Sequence, residues 1–432
     1  MTNQTAKEPA ETGWQTQLRA GGTAAGTLLA TLVVVPNLLA QLGMPFTGAY
    51  TACIVTMLLG MLALAWLRIP LLAAPDMALA GWLVYLVGIS QGLSWQQLLG
   101  IGAFVSVAGA VLFQTAFGRY IPQSLPRILW QALPVGIGGM LVLMGLTQGH
   151  LILPSAYGFA MLGNFQDSLA YFGLLGILIT LALLGLQVRG ALFYGMLITA
   201  VLAFAEGFWV LPAAPFFQPE GLDCTVLQLN PAAVSVPEAV RMLGTGMTML
   251  LTLSVLHWGT LEAFCPGVSE RKPQAVSVLF GINLLGSLLG TLPVTIAPAS
   301  AGGILSGGQG RKFFLTAGLL LLLALFSEPV VAGLADFPVM AIPVLTVSGF
   351  LLIRRGIASW GAAAGHIELP EMAAAVSLIV VMPVSGNVTA GLGSALICWC
   401  LLTVCSGRWR SIPCGTWLLS LLFLLYFLYG TI

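Results

Sequence analysis

Leu71–Gly81 reads LLAAPDMALAG: an apolar run interrupted by a proline and, at once, an aspartate. The same phrase returns in the second half of the chain as Thr295–Gly303, TIAPASAGG. In each, a short extended run ends at Ala-Pro (Ala74-Pro75 and Ala297-Pro298) and small residues follow. Proline is favoured at the first position of a helix, where its missing N–H costs nothing. Each phrase is therefore expected to be an extended segment turning into a half-helix, with Pro75 and Pro298 at the helix N-termini. Within a membrane, such broken helices survive only where they are buried or line a cavity. At matching positions of two halves, they point to a transporter's midplane site.

The rest of the chain sets that reading in a bilayer. Of 432 residues, 58% are hydrophobic and 7% charged, against about 25% charged in soluble proteins. The class is an all-α polytopic membrane protein. A net charge of +1 without a basic run offers nothing to nucleic acid. The polar segment Met1–Gln17, with Glu8 and Glu11, lacks the basic-then-apolar order of a signal peptide and reads as a cytoplasmic tail. The seven cysteines fall mostly in apolar segments, without metal-ligand spacing, and read as buried small hydrophobes.

Apolar windows of roughly 16–24 residues fall at 19–42, 48–67, 70–87, 95–117, 128–148, 169–188, 191–211, 240–263, 273–291, 292–308, 313–334, 336–353, 369–385 and 387–406. That makes fourteen, followed by an apolar stretch at 413–430 that either spans or lies at the interface. With the N-terminus inside, Lys7, Arg19, Arg68, Arg119, Arg127, Arg189, Arg271, Lys272, Arg311, Lys312, Arg354, Arg355, Arg408 and Arg410 are cytoplasmic, and Arg241 falls outside. This asymmetry follows the positive-inside rule. Seven spans per half make the second half enter from the opposite side, so the repeat is inverted. Segments 3 and 10 then present their half-helix ends from opposite directions, each with a partial positive charge.

Ionisable groups in hydrocarbon are functional candidates because they are costly unless paired. Asp76, at the start of the first half-helix, is a candidate for substrate binding or ion coupling; the plain alternative is a helix cap. His257, mid-span beside Trp258 and Thr260, is a candidate for the same roles or a packed core histidine. Glu262 and Glu206 lie near span ends and read as interfacial. Ser300 offers a hydroxyl at the second helix end. No P-loop, HExxH or ligand cluster occurs, so the chain is read as neither an enzyme nor an ATP-driven pump, with no metal and no cofactor.

RIPLLAAPDMALAGW (68–82), GLSWQQLLG (92–100) and GTLPVTIAPASAGG (290–303) resemble the nucleobase–cation symporters of the xanthine/uracil permease type, and most closely the guanine/hypoxanthine/adenine permease branch. The resemblance implies two inverted repeats of seven: a core domain (19–117 and 240–334) that slides against a gate domain (118–211 and 335–406). Outside these lie the tail 1–18, an external loop 212–239 and a C-terminal apolar helix in 407–432. It also implies a bacterial inner-membrane carrier for a small heterocycle, coupled to H⁺ or Na⁺. A homodimer through the gate domain is an expectation from the relatives, carried by no residue here.

The departures are specific. The acid that the family places in span 8 falls on Leu256, and the glutamate of span 10 on Ala299. The asparagine of span 3 falls on Ala80, while Met77 takes an aromatic position and Asp76 stands where the branch has glycine. A carboxylate bonded to a nucleobase edge contributes about 1.5–3 kcal/mol per charged hydrogen bond. Either Asp76 has taken over, with His257 and Thr260 nearby, or the substrate is no longer a purine. Asp76 would repel an anion, which favours a neutral or cationic substrate. An organic-anion carrier and a non-transporting homologue are the alternatives.

Overall fold

A computed structural model of the chain describes residues 13–115, 120, 125–155, 160–188, 190–208, 214–230, 235–265, 272–308, 310–336, 338–362 and 368–429. Most of the N-terminal tail, with Lys7, Glu8 and Glu11, lies outside the described residues, as do Arg119, Arg189, Arg271 and parts of the loop 212–239. The helices, in order, are α1 Trp14–Gly26, α2 Leu29–Ala40, α3 Phe46–Trp66, α4 Met77–Gly81, α5 Trp95–Gln114, α6 Arg127–Gln148, α7 Ser168–Gly185, α8 Ala191–Ala205 and α9 Val236–Phe264. They continue with α10 Lys272–Leu289, α11 Ala301–Leu305, α12 Gly310–Phe326, α13 Glu328–Asp336, α14 Ala341–Ala362, α15 Leu369–Ser385, α16 Val388–Cys405 and α17 Cys414–Tyr429. The strands are β1 Ala73–Pro75, β2 Ile152–Leu153, β3 Met161–Leu162 and β4 Val294–Ile296. Among the described residues, nine helices are long and apolar enough to cross a membrane, and four shorter apolar helices accompany them. The chain is a helical multi-pass membrane protein.

Where the structure divides a predicted segment, local chemistry gives the reason. Segment 1 breaks between α1 and α2 at Thr27, whose hydroxyl donates to the Ala24 and Ala299 carbonyls, and Pro36 sits inside α2. Segment 11 breaks between α12 and α13 at Ser327-Glu328-Pro329, because proline cannot continue a helix from the preceding turn. Arg241, the predicted exception on the outer side, donates to the Gln91 carbonyl at the C-terminal end of the α4 extension, where a cation complements the helix dipole. Within the terminal apolar stretch, Cys414–Tyr429 is helical as α17 and packs on α16, Phe423 lying against Gly393 and Ser420 against Cys400.

The buried side chains form two territories. One cluster joins residues from Ala20 to Phe113 with residues from Met249 to Val331 and surrounds β1 and β4. Two further clusters gather α6–α8 and α14–α17, from Ile128 to Ala203 and from Val339 to Phe423. Leu256 of α9 and Ala301 of α11 reach across into the second territory. Within it, α6 and α14 meet backbone to backbone: a Cβ on Gly138 would lie 2.7 Å from the Gly349 oxygen, and one on Gly349 would lie 2.5 Å from the Gly138 oxygen. Small residues at such crossings let membrane helices gain dispersion contacts that lipid-facing leucines cannot give.

Candidate functional site: the crossed strands and their cavity

The two Ala-Pro phrases, 223 positions apart, pair with each other. β1 and β4 run antiparallel in the register Ala73↔Ile296, Ala74↔Thr295 and Pro75↔Val294, and Ala297 N–H donates to the Leu72 carbonyl at 3.0 Å. Pro75 falls opposite Val294, whose own peptide groups face away from β1. Val294 N–H donates to Asn283 Oδ1 at 2.7 Å, and the Val294 carbonyl lies 3.4 Å from His257 Nε2. Hydrogen-bonded and open pairs alternate along an antiparallel ladder, so proline's missing N–H falls where the ladder asks for none. Side chains from α9 and α10 thus close the outer edge of β4 in place of a third strand.

Pro75 is consequently the last residue of a strand, which corrects the expectation that it opens the half-helix. Asp76 is the N-cap: its Oδ1 accepts the Leu79 N–H at 2.8 Å, and α4 starts at Met77 and continues as a π-helical run, Trp82–Ser90. The second phrase does open on its proline, as a 3₁₀ turn Pro298–Ser300, but the helix that follows has only five residues. Its aligned peptide dipoles are few, so the two helix ends are electrostatically unequal.

A cavity of about 400 Å³ lies at this crossing. Pro75, Asp76, Met77, Thr295, Ala297, Pro298 and Ala299 form one wall, with Leu28 and Thr31 of the α1–α2 region. Met140, Met144 and Thr147 of α6, with Pro383–Gly386 at the end of α15, form the other. The walls belong to the two hydrophobic territories, so the cavity is a seam between them. Among the described residues that line it, Asp76 is the one ionisable side chain. A pocket of about 10 Å³ beside it, bordered by Asp76, Leu256 and Thr252, has room for about one water molecule.

Five of the sequence-derived candidates reach this cavity: Asp76, Met77, Ala299 and the prolines Pro75 and Pro298. Leu256 reaches the small pocket. The other three do not line either space. Ser300 is fully buried, its hydroxyl donating to the Ala297 carbonyl at 2.7 Å and accepting the Leu72 N–H at 3.3 Å, so it stitches the two phrases together. Thr260 is buried and bonds the Leu256 and His257 carbonyls of its own helix. His257 is buried behind β4 with its ring edge on Phe280. A proton on Nε2 serves Val294 and leaves Nδ1 an acceptor without a partner among the described residues. Glu262, near the end of α9, pairs with the buried Lys272 at the start of α10.

Two features escaped a reading centred on charge. Thr295 sits on β4 at the cavity, 1% exposed, with a hydroxyl that has no partner among the described residues. Met140, Met144 and Thr147 fall at i, i+4 and i+7, one face of a helix, and that spacing was available in the sequence. Methionine sulfur is polarizable and packs against aromatic rings. With Met77 opposite, the seam is dressed for a flat apolar body with one charged contact.

The fold is that of a helical multi-pass membrane protein with a cavity at the crossing of its two Ala-Pro phrases. The chain is 26% identical to the guanine/hypoxanthine permease PbuO of Bacillus subtilis over 93% of its length and 94% of that protein's. It is 24% identical to the adenine permease AdeP of Escherichia coli, over 95% and 92%. These relatives are permeases, not enzymes, and the resemblance to the guanine/hypoxanthine/adenine branch stands over nearly the whole chain. No protein-family model matches. Two structures of SLC26A9, one described as a murine anion transporter in the inward-facing state, share the fold with TM-scores of 0.50 and 0.51 at 12% and 11% identity. Each match covers 90% of this chain, which spans 65% and 68% of those longer proteins.

Proposed function

We propose that the chain is a secondary active transporter of a purine-like nucleobase or related small heterocycle, held in the seam between the two hydrophobic territories. The observation that carries this is Asp76, the one ionisable group among the described lining residues, placed at the mouth of a helix inside a Met-lined cavity. A carboxylate accepts ring N–H groups of a base, Thr295 offers a hydroxyl, and Met77, Met140 and Met144 cover the ring faces. The names of the full-length relatives supply the substrate class.

The antiparallel meeting of β1 and β4 supports fourteen spans in two inverted repeats of seven, with the apolar helix α17 outside them. The cluster boundaries support a core of 19–117 and 240–334 and a gate of 118–211 and 335–406. On this reading the core slides against the gate, carrying Asp76 from side to side with H⁺ or Na⁺, Asp76 and His257 being the coupling candidates. The remaining proposals are an inner-membrane location with a cytoplasmic N-terminus and a homodimer through the gate.

The test is a thermal-shift panel on purified protein with purines, pyrimidines and organic acids, with and without Na⁺. Purified protein is then reconstituted and uptake of the stabilising base is measured. Stabilisation by a purine that disappears in Asp76→Asn supports the reading. Stabilisation by anions alone overturns the substrate class and favours the organic-anion carrier. No response across the panel favours a homologue that does not transport.

A further inference from the structure

A second cavity, of about 420 Å³, lies away from the crossing, between α9, the start and end of the α5–α6 connection, α16 and α17. Its lining is apolar almost throughout. Of its few polar groups, Ser254 Oγ donates to the Leu250 carbonyl at 2.6 Å and the Tyr426 hydroxyl accepts Asn387 Nδ2 at 3.3 Å, while the Trp258 indole N–H has no partner among the described residues. A space of this size with so few polar groups gives water too few partners to fill it, and suits an apolar guest. Two lining residues, Met247 and Leu425, are 54% and 41% exposed. Beside them the outer surface continues with Leu243 at 66% and Leu421 at 55%. The mouth therefore opens sideways through an apolar surface of membrane-spanning helices, where the available solute is bilayer lipid.

We infer that this cavity is a binding site for an acyl chain of a bilayer phospholipid, wedged between α9 and α16–α17. A chain inserted there lies in the seam between the two hydrophobic territories. If the proposed transport reading holds, that is the surface that must slide, and occupancy of the site would regulate its movement; the binding itself does not depend on that reading.

Trp130 and Trp258 line the cavity, so its occupant can be read by fluorescence. The protein is reconstituted in phosphatidylcholine vesicles with a graded fraction of phosphatidylcholine brominated at mid-chain, which quenches indole on contact. The Trp258 signal is taken as the difference between the unmodified protein and Trp258→Phe; the indole N–H has no partner among the described residues, so this variant breaks no hydrogen bond seen there. A specific site is expected to quench Trp258 at a brominated fraction about twofold or more below that needed for Trp66, which is 78% exposed on the outer surface, because binding to a site saturates before the annulus does. Gly244→Phe places a ring in the cavity, since a Cβ at Gly244 meets nothing within 4 Å. It should abolish the Trp258 quenching, as should the smaller Gly244→Leu, while Gly281→Phe on α10, equally open, should leave it unchanged. Quenching of Trp258 that parallels Trp66, that is absent, or that survives both Gly244 variants overturns the assignment. Uptake measured on the same vesicles reports separately on the transport reading.

Discussion

Asp76 serves a helix and faces a cavity with the same carboxylate, and substitution separates the two. Asparagine caps a helix about as well as aspartate, so Asp76→Asn should leave the melting temperature within about 2 °C while removing nucleobase-induced stabilisation. Asp76→Ala should also lose the cap, about 1 kcal/mol. Ser300 gives the opposite pattern. Its hydroxyl satisfies the buried Leu72 N–H, so Ser300→Ala should destabilise by about 1–3 kcal/mol, with base affinity of the folded protein within about twofold. A large affinity loss in Ser300→Ala, measured by isothermal titration on the folded fraction, would return it to the binding site. At the loop between α6 and α7, His150 Nδ1 lies 2.7 Å from Asp167 Oδ2, and Asp167 caps α7 through Leu169 N–H. The His150 hydrogen bond holds the Asp167 carboxyl below its ordinary range, outweighing a smaller desolvation that opposes it. A depressed folded value means stability present above the unfolded value near 3.9 and lost as pH falls through the folded one. Because both side chains are well exposed, the pair contributes on the order of 0.5 kcal/mol. Melting curves of Asp167→Asn, which keeps a cap, should lack the part of the acid slope below about pH 4 that the unmodified protein shows.

Between elements, glycine decides how closely helices pass. Gly138 on α6 and Gly349 on α14 bring two backbones together, and no side chain can retreat from a contact made by main-chain atoms. Gly138→Ala should therefore destabilise by about 1–3 kcal/mol through overpacking. Gly281→Ala on α10, with open space at its Cβ, should be neutral or slightly stabilising, as alanine is the better helix former. Equal losses at both positions in a thermal-stability assay would mean that helix approach at Gly138 is looser than the geometry states. The short β1–β4 ladder works by the same economy. Proline fills a strand position that donates nothing to the ladder, and Asn283 and His257 bond the peptide groups of Val294.

For the whole molecule, the question is whether the two hydrophobic territories move past one another. Thr31 and Ser385 line the cavity from opposite walls. In a background without native cysteines, Thr31→Cys and Ser385→Cys joined by a bifunctional thiol reagent should stop uptake while sparing nucleobase-induced stabilisation. Uptake that persists after complete cross-linking, checked by mass spectrometry, would overturn relative motion of the walls as the transport step.

Hydropathy and the repeated Ala-Pro phrase were enough to read a multi-pass helical membrane protein with two broken segments. Those signals are local: a span must be apolar over its own length, and a helix break must show where proline stands. The break at Ser327 was legible in principle from Pro329 but was masked by unbroken apolarity, whereas Pro36 stands inside α2 and does not mark the break at Thr27. The site was only half legible. Asp76, Met77 and Ala299 could be named because they flank the prolines, yet which hydroxyl serves the ladder and which faces the cavity depends on the register of two strands 221 positions apart. That register buried Ser300, set Thr295 at the cavity and His257 behind the sheet, while Thr260 bonds its own helix. The wall opposite Asp76 comes from α6 and α15, and the lateral cavity from α9 and α17. Packing between distant apolar surfaces carries no charge or motif into the sequence, so only the folded chain decided it.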